Sequence, residues 1–279
     1  MQKRVAAIHD ISCFGKCSLT VALPIISAVG IECAVIPTAV LSTHTGGFSG
    51  FTFRDLTEDI LPVAEHWNKE GITVDAVYSG YLGSKEQINL VKEAVRLIKN
   101  KDALFVVDPV MADHGKLYGG FSEDFPKQMR TLCEEADIIT PNITEAAFML
   151  DTEYKCGPYE KEYIEDILYG LENMCKKGCK IVLTGVYFDE KKIGAACLEN
   201  GTVTYVFSSY VDAAYHGTGD VFSSALTSGI LKGKRLASAA QIASDYTASC
   251  IRLTKEKYPY MKYGVNFEAK IPELIESLK

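Results

Sequence analysis

The chain has no apolar run long enough to cross a membrane. Its longest, residues 19–31, is broken by Pro24 and Gly30 and closed by Glu32, well short of the ~20 residues that a spanning helix needs. Two basic residues, Lys3 and Arg4, precede an apolar stretch too short for a secretory leader. Positive charge is scarce as well: 29 Lys and Arg stand against 36 Asp and Glu, a formal net charge of -7. The cations are scattered with no basic stripe, which excludes a nucleic-acid footprint and a membrane partner from the expectations. The nine cysteines include no Cys-x-x-Cys pair, and no His pair stands at zinc-ligand spacing, so no metal role is expected of the thiols. Nine thiols without a leader imply a reducing, cytoplasmic compartment. Repeats, low-complexity tracts and linkers are also missing. With 279 residues and 47% hydrophobic content, the expectation is a single domain, 1–279.

Two familiar nucleotide motifs fail. Gly15-Lys16-Cys17-Ser18 has Asp10 where a P-loop has its upstream Gly, and Cys17 where it has Ser or Thr after Lys. Gly217-Thr218-Gly219-Asp220-Val221-Phe222 lacks the third Gly of a dinucleotide fingerprint and opens no further βαβ unit. A nicotinamide dehydrogenase is therefore not expected.

Short β-branched runs alternate with longer amphipathic segments, the pattern of a mostly parallel sheet with helices on both faces. Strands are expected over 5–9, 33–39, 76–79, 104–108, 138–140 and 180–184. An Asn200-Gly201 turn joins two more, 195–198 and 203–207. Helices are expected over 18–29, 84–99, 144–150, 161–176, 218–232, 235–253 and 267–278. In such sheets ligands bind outside the carboxyl ends of the strands, and the polar residues gather there. Ser12 follows the first strand, Thr43-His44-Thr45-Gly46-Gly47 the second, and Ser79-Gly80-Tyr81 the third. Asp108-Pro109-Val110-Met111 with Asp113 follows the fourth, Asn142-Ile143-Thr144-Glu145 the fifth, and Thr184-Gly185 the sixth.

The chain centres on His216-Gly217-Thr218-Gly219-Asp220. Val221, Phe222, Ala225, Leu226 and Ile230 continue it at helical spacing, so a helix should start beside Thr218 with free N–H donors and its positive dipole end facing an anion such as phosphate. Asp220 in that turn would repel phosphate unless it orients a substrate hydroxyl and takes its proton, as phosphoryl transfer requires. The helix terminus should keep it ionised, hence a weak base that accepts the proton late. Asp108 with Asp113, and Asn142 with Glu145, suit a magnesium-nucleotide complex. His44 suits a substrate wall, and Tyr81 a place against a flat ring. Ser12 and Thr45 equally suit plain turns, and Asn142 a plain helix cap with Glu145 as an acidic first turn. The glycines at 115, 119 and 120 suggest a loop, 115–125, mobile enough to close over the nucleotide.

Six of these motifs, Ser12, His44-Thr45-Gly46, Ser79-Gly80-Tyr81, residues 108–113, residues 139–145 and residues 216–220, resemble in this order those of the ribokinase superfamily and, within it, the pyridoxal kinases. The resemblance spans nearly the whole chain. It implies a three-layer α/β sandwich without a separate lid domain, and transfer of the γ-phosphoryl group of ATP to the hydroxymethyl group of pyridoxal, pyridoxamine or pyridoxine. By motif position it makes Asp220 the catalytic base and Gly217, Thr218 and Gly219 the anion hole. Ser12, Thr45 and Tyr81 would contact the ring, with His44 in the same wall. Asp108, Asp113, Asn142 and Glu145 would handle the nucleotide phosphates and magnesium, Asp108 and Glu145 as the metal's carboxylates, while Thr184 and Gly185 lie along the nucleotide. It further implies a homodimer and a monovalent cation such as potassium. Hydroxymethylpyrimidine kinases share the Gly-Thr-Gly-Asp turn but typically carry Gln-Asn-Thr after the second strand, where this chain has Thr43-His44-Thr45. A carrier that binds the vitamer without turnover would be expected to lack Asp220, and a sugar kinase to carry a lid.

Overall fold

The computed structural model describes residues 2–261 and 263–279. In chain order the elements are β1 (Arg4–Ser12), α1 (Leu19–Ala28), β2 (Glu32–Leu41), β3 (Phe53–Asp55), α2 (Thr57–Lys69), β4 (Val74–Ser79), α3 (Lys85–Ile98) and β5 (Lys99–Val107). The hairpin β6 (Ala112–Asp113) and β7 (Lys116–Leu117) follows, then α4 (Phe125–Cys133), β8 (Ile138–Ile139), α5 (Ile143–Leu150) and α6 (Lys161–Met174). The chain closes with β9 (Lys180–Asp189), β10 (Lys192–Glu199), β11 (Thr202–Ser209), α7 (Thr218–Leu231), α8 (Leu236–Lys257) and α9 (Ile271–Ser277).

One sheet of order β11-β10-β9-β8-β5-β4-β1-β2-β3 forms the middle layer. Its central pairs are parallel, and antiparallel strands close both edges. Because strand side chains alternate between faces, the sheet feeds two cores. Ala6, Ile8, Val77, Phe105 and Val107 face α2 to α6, whereas Val5, Ala76, Tyr78 and Val106 face α1, α7, α8 and α9. The result is the expected three-layer sandwich, mostly parallel and without a separate lid.

Local signals explain the helices that the pattern revealed. Ser84 caps α3, accepting from the Gln87 N–H at 3.1 Å, and Ile88, Val91, Val95 and Ile98 then follow one buried face. Two helices lay outside the expectations. Pro62 sits inside α2, where only Ile60 and Ala64 are fully buried, so a breaker and a thin apolar stripe hide it. The first turn of α4 contains Pro126, and α4 follows a Gly-rich stretch that reads as loop. Part of that stretch is also ordered by hydrogen bonds. Ala112 pairs with Leu117 and Asp113 with Lys116 around His114-Gly115, both at positive φ (49° and 74°), as the mirror-image turns of two-residue hairpins require.

Candidate active site

The carboxyl ends of the parallel strands and the start of α7 enclose one cleft of about 1520 Å³. Every residue singled out above lines it: Ser12, His44, Thr45 and Tyr81; Asp108, Asp113, Asn142 and Glu145; Thr184 and Gly185; and Gly217, Thr218, Gly219 and Asp220.

α7 begins at Thr218, as its sequence implies, with Gly217 before it at φ 76°. A Cβ on Gly217 would lie 1.8 Å from the Lys16 carbonyl oxygen. Only glycine allows both this backbone and this approach. Among the described residues no side chain caps α7, so its first N–H groups are left for a ligand. The Thr218 hydroxyl turns away, donating to the Tyr215 carbonyl at 3.3 Å.

Asp220 corrects one expectation. It is half-buried at the cleft floor, and its pKa is pushed up to about 8, not held down by the helix terminus. Desolvation dominates; the Ser18 backbone N–H, which donates to the carboxylate, opposes it, and the charges of Asp108 and Asp10 add to the rise. The dipole is worth at most ~2 kcal/mol even when partly buried, too little to offset burial beside two other carboxylates.

Asp108 closes β5 at 6% exposure and accepts the Ser223 hydroxyl at 2.9 Å, while Ser223 and Thr140 share a hydrogen bond of 3.1 Å. Burial pushes its pKa up to about 7 against these hydroxyls. Glu145 is 3% exposed, and burial and then Asp108 raise it well above the carboxylate range. Its oxygens accept the Met111 and Asn142 N–H groups at 3.1 and 2.9 Å, and Asn142 returns a bond to the Glu145 N–H at 2.9 Å. This is a capping box. The other end of the Asn142 amide donates to the Ala112 carbonyl at 2.8 Å. Both ends of that side chain are thus used by the fold, which favours the cap reading of Asn142. Asp113 is exposed on the hairpin, its carboxylate accepting the His114 N–H at 2.8 Å.

On the opposite wall, the His44 ring is 5% exposed, wedged against Gly15 and held 5.2 Å from the His216 ring. Burial first, then His216, lowers its pKa, so it sits there neutral. It lines the cleft without presenting a cation. Tyr81 lies beside Phe121, with ring centres 5.5 Å apart. Thr45 is exposed at the rim. Ser12 donates its hydroxyl to Asp10 at 3.2 Å.

Sequence reasoning passed over Asp10, Ser18 and Ser223. Asp10 was noted only as the residue that spoils a P-loop, yet it is 4% exposed and lines the cleft. Its place at the end of the first strand was a signal. Ser223 was readable too, three residues beyond Asp220 and so on the same helical face.

Among the described residues no group of three or more His, Cys, Asp and Glu is arranged as a metal centre. Asp108 and Glu145 do fit a magnesium ion that draws its remaining ligands from phosphates and water. They are buried carboxylates, and Asp108 raises the pKa of Glu145, a repulsion that a divalent cation would relieve.

The family model for phosphomethylpyrimidine kinase matches residues 22–265. The chain belongs to this family, within the ribokinase-like superfamily. A crystal structure from Bacteroides thetaiotaomicron, solved with pyridoxal, is similar at 34% identity and a TM-score of 0.89, covering 98% of this chain and 96% of that one. Pyridoxal kinase from Lactobacillus plantarum is similar at 30% identity and a TM-score of 0.90, covering 99% and 97%. Among curated proteins, the pyridoxal kinase of Vibrio vulnificus is 29% identical over 263 residues, 90% of this chain and 86% of its own.

Proposed function

We propose that this family member is an ATP-dependent vitamer kinase that phosphorylates the hydroxymethyl group of pyridoxal, pyridoxamine or pyridoxine. The observation that carries the reading is Asp220 beneath the uncapped start of α7, in the cleft of a fold shared with a 34% identical protein solved with pyridoxal.

In this reading the vitamer ring lies between Ser12, Thr45 and Tyr81, with His44 in the same wall, and its hydroxymethyl group points at Asp220. The N–H groups from Gly217 to Gly219 stabilise charge on the phosphoryl group in flight. With its pKa near 8, Asp220 is a stronger base than an ordinary carboxylate. It orients the hydroxyl and takes its proton as the bond to phosphorus forms. Thr184 and Gly185 lie along the nucleotide, with Asp113 at its phosphate end, and the capping box of Asn142 and Glu145 sets that wall. Asp108 and Glu145 would hold magnesium, which neutralises phosphate charge when bound. A single domain, a homodimer, a potassium-type activator and the cytoplasm complete the reading; the nine free cysteines suit a reducing compartment.

The test is ADP release by the purified protein with magnesium, ATP and potassium, given each vitamer and hydroxymethylpyrimidine in separate reactions. Turnover on a vitamer that collapses in Asp220→Asn supports the reading. Turnover on hydroxymethylpyrimidine alone would replace it with the activity that the family description names.

A further inference from the structure

We propose that Asp10 is a specificity residue that binds the amine of pyridoxamine and so makes the aminated vitamer the preferred substrate. The inference rests on the vitamer-kinase reading above.

Asp10 is a buried carboxyl group with no charged partner among the described residues. At 4% exposure it lines the cleft wall, and its side-chain partners are the Ser12 hydroxyl at 3.2 Å and the hydroxyl of Ser18. None of the ion pairs among the described residues includes it; Lys16, six residues on, is bonded to Glu268 at 2.6 Å. Burial raises its pKa, opposed by the Ser18 and Ser12 side chains and its own backbone N–H. A carboxylate sunk into a cleft with only neutral donors bonded to it is costly unless a charged partner arrives.

Its position indicates which part of the substrate that partner belongs to. Asp10 lines the same cleft as Asp220 and Tyr81 and lies close enough for its charge to raise the pKa of both. In the three vitamers the reacting hydroxymethyl group and the variable substituent occupy neighbouring ring carbons, while the ring nitrogen is across the ring from the variable one. A hydroxyl held at Asp220 therefore brings the variable substituent, not the nitrogen, toward a carboxylate beside Asp220. That substituent is an aldehyde in pyridoxal, a neutral alcohol in pyridoxine and an ammonium in pyridoxamine. Only the ammonium offers charge-assisted hydrogen bonds. Asp108, the other carboxylate near Asp220, already accepts Ser223 and adjoins Glu145, which leaves Asp10 for the amine.

The experiment measures kcat and KM for the three vitamers with the wild-type protein and with Asp10→Asn, which keeps the side chain's size and its bond from Ser12. The wild type is expected to favour pyridoxamine over pyridoxine by ~10-fold or more in kcat/KM. In the variant, kcat/KM for pyridoxamine should fall ~10- to 100-fold, chiefly through KM, and the loss on pyridoxine should be at least ~10-fold smaller. An equal loss on all three vitamers would assign Asp10 to the ring nitrogen or to the fold and overturn the proposal. So would a wild type with no preference for the amine, a result that does not depend on the variant folding. A wild type that phosphorylates none of the vitamers removes the underlying reading and the proposal with it, whereas turnover without amine preference removes the proposal alone.

Discussion

Ser223 donates its hydroxyl to Asp108 at 2.9 Å from the helical turn after Asp220. One face of α7 therefore presents Asp220 to the cleft and fixes the carboxylate at the end of β5. Removing that hydroxyl in Ser223→Ala takes away the larger of the two hydroxyl hydrogen bonds that hold the pKa of Asp108 down from still higher values. The magnesium concentration for half-maximal turnover should rise several-fold at neutral pH, because a more basic Asp108 holds its proton against the metal. Folding stability should drop by about 1 to 3 kcal/mol from the unsatisfied buried acceptor. A magnesium titration at pH 7 and denaturant unfolding of the same sample check both.

Asp220→Asn should slow turnover by ~10² to 10⁴-fold and leave ATP binding nearly unchanged, since it removes the proton acceptor and not the anion hole. Single-turnover kinetics beside a direct nucleotide titration separate the two. A variant with near-normal turnover would end the base assignment.

The same residue gives stability a pH dependence of defined sign. In the folded chain Asp220 keeps a proton up to about pH 8, whereas its ordinary value is 3.8. Between those limits the folded state binds more protons than the unfolded one, so this contribution to stability falls as pH rises. Asp220→Asn lacks that slope. Its melting temperature relative to wild type should therefore climb between about pH 4 and about pH 8 in ligand-free protein. The activity limb runs the other way. The kcat/KM for the vitamer should rise as Asp108 and Asp220 ionise near 7 and 8, and the upper step should vanish in the variant.

Gly217→Ala should cost both fold and chemistry. Its Cβ would meet the Lys16 carbonyl at 1.8 Å from a backbone at φ 76°, a strain of ~1 to 3 kcal/mol. Turnover should fall by ~10²-fold or more as the N–H groups tilt away from the phosphoryl position. Gly219→Ala is the contrast, because a Cβ there meets nothing within 4 Å. Its stability should stay near wild type in the same thermal scan.

How far the sequence could be read depended on whether a residue's environment was local. The parallel sheet, its edge hairpin and the start of α7 follow from patterns a few residues long, and each is where the chain's own periodicity puts it. The strand-end rule gathered Ser12, His44, Asp108 and Asn142 onto one cleft, and the helix-start reading put Asp220 beside them. α2 stayed hidden because Pro62 falsifies its local signal while tertiary packing of Ile60 and Ala64 supplies the stability. Charge states were the least legible. Whether Asp220 is ionised depends on its burial first and then on Asp108 and Asp10, all set by segments far away in sequence, and no single stretch reveals that they converge. The commitment of the Asn142 amide to Ala112 was unreadable on the same ground.

The close seat of Gly217 on Lys16 also constrains how the two halves of the site can diverge. The loop that follows Asp10 and Ser12 touches the turn that precedes Asp220, the Lys16 carbonyl against Gly217 with the Cys17 sulfur alongside, which leaves little room to absorb a change. A substitution at residues 15–17 that shifts this loop to suit a different vitamer must displace the phosphoryl turn as well, and the displacement can be undone only from residues 216–218. Substrate range and catalytic geometry are thus inherited together, and change at one is tolerated only when it is matched at the other.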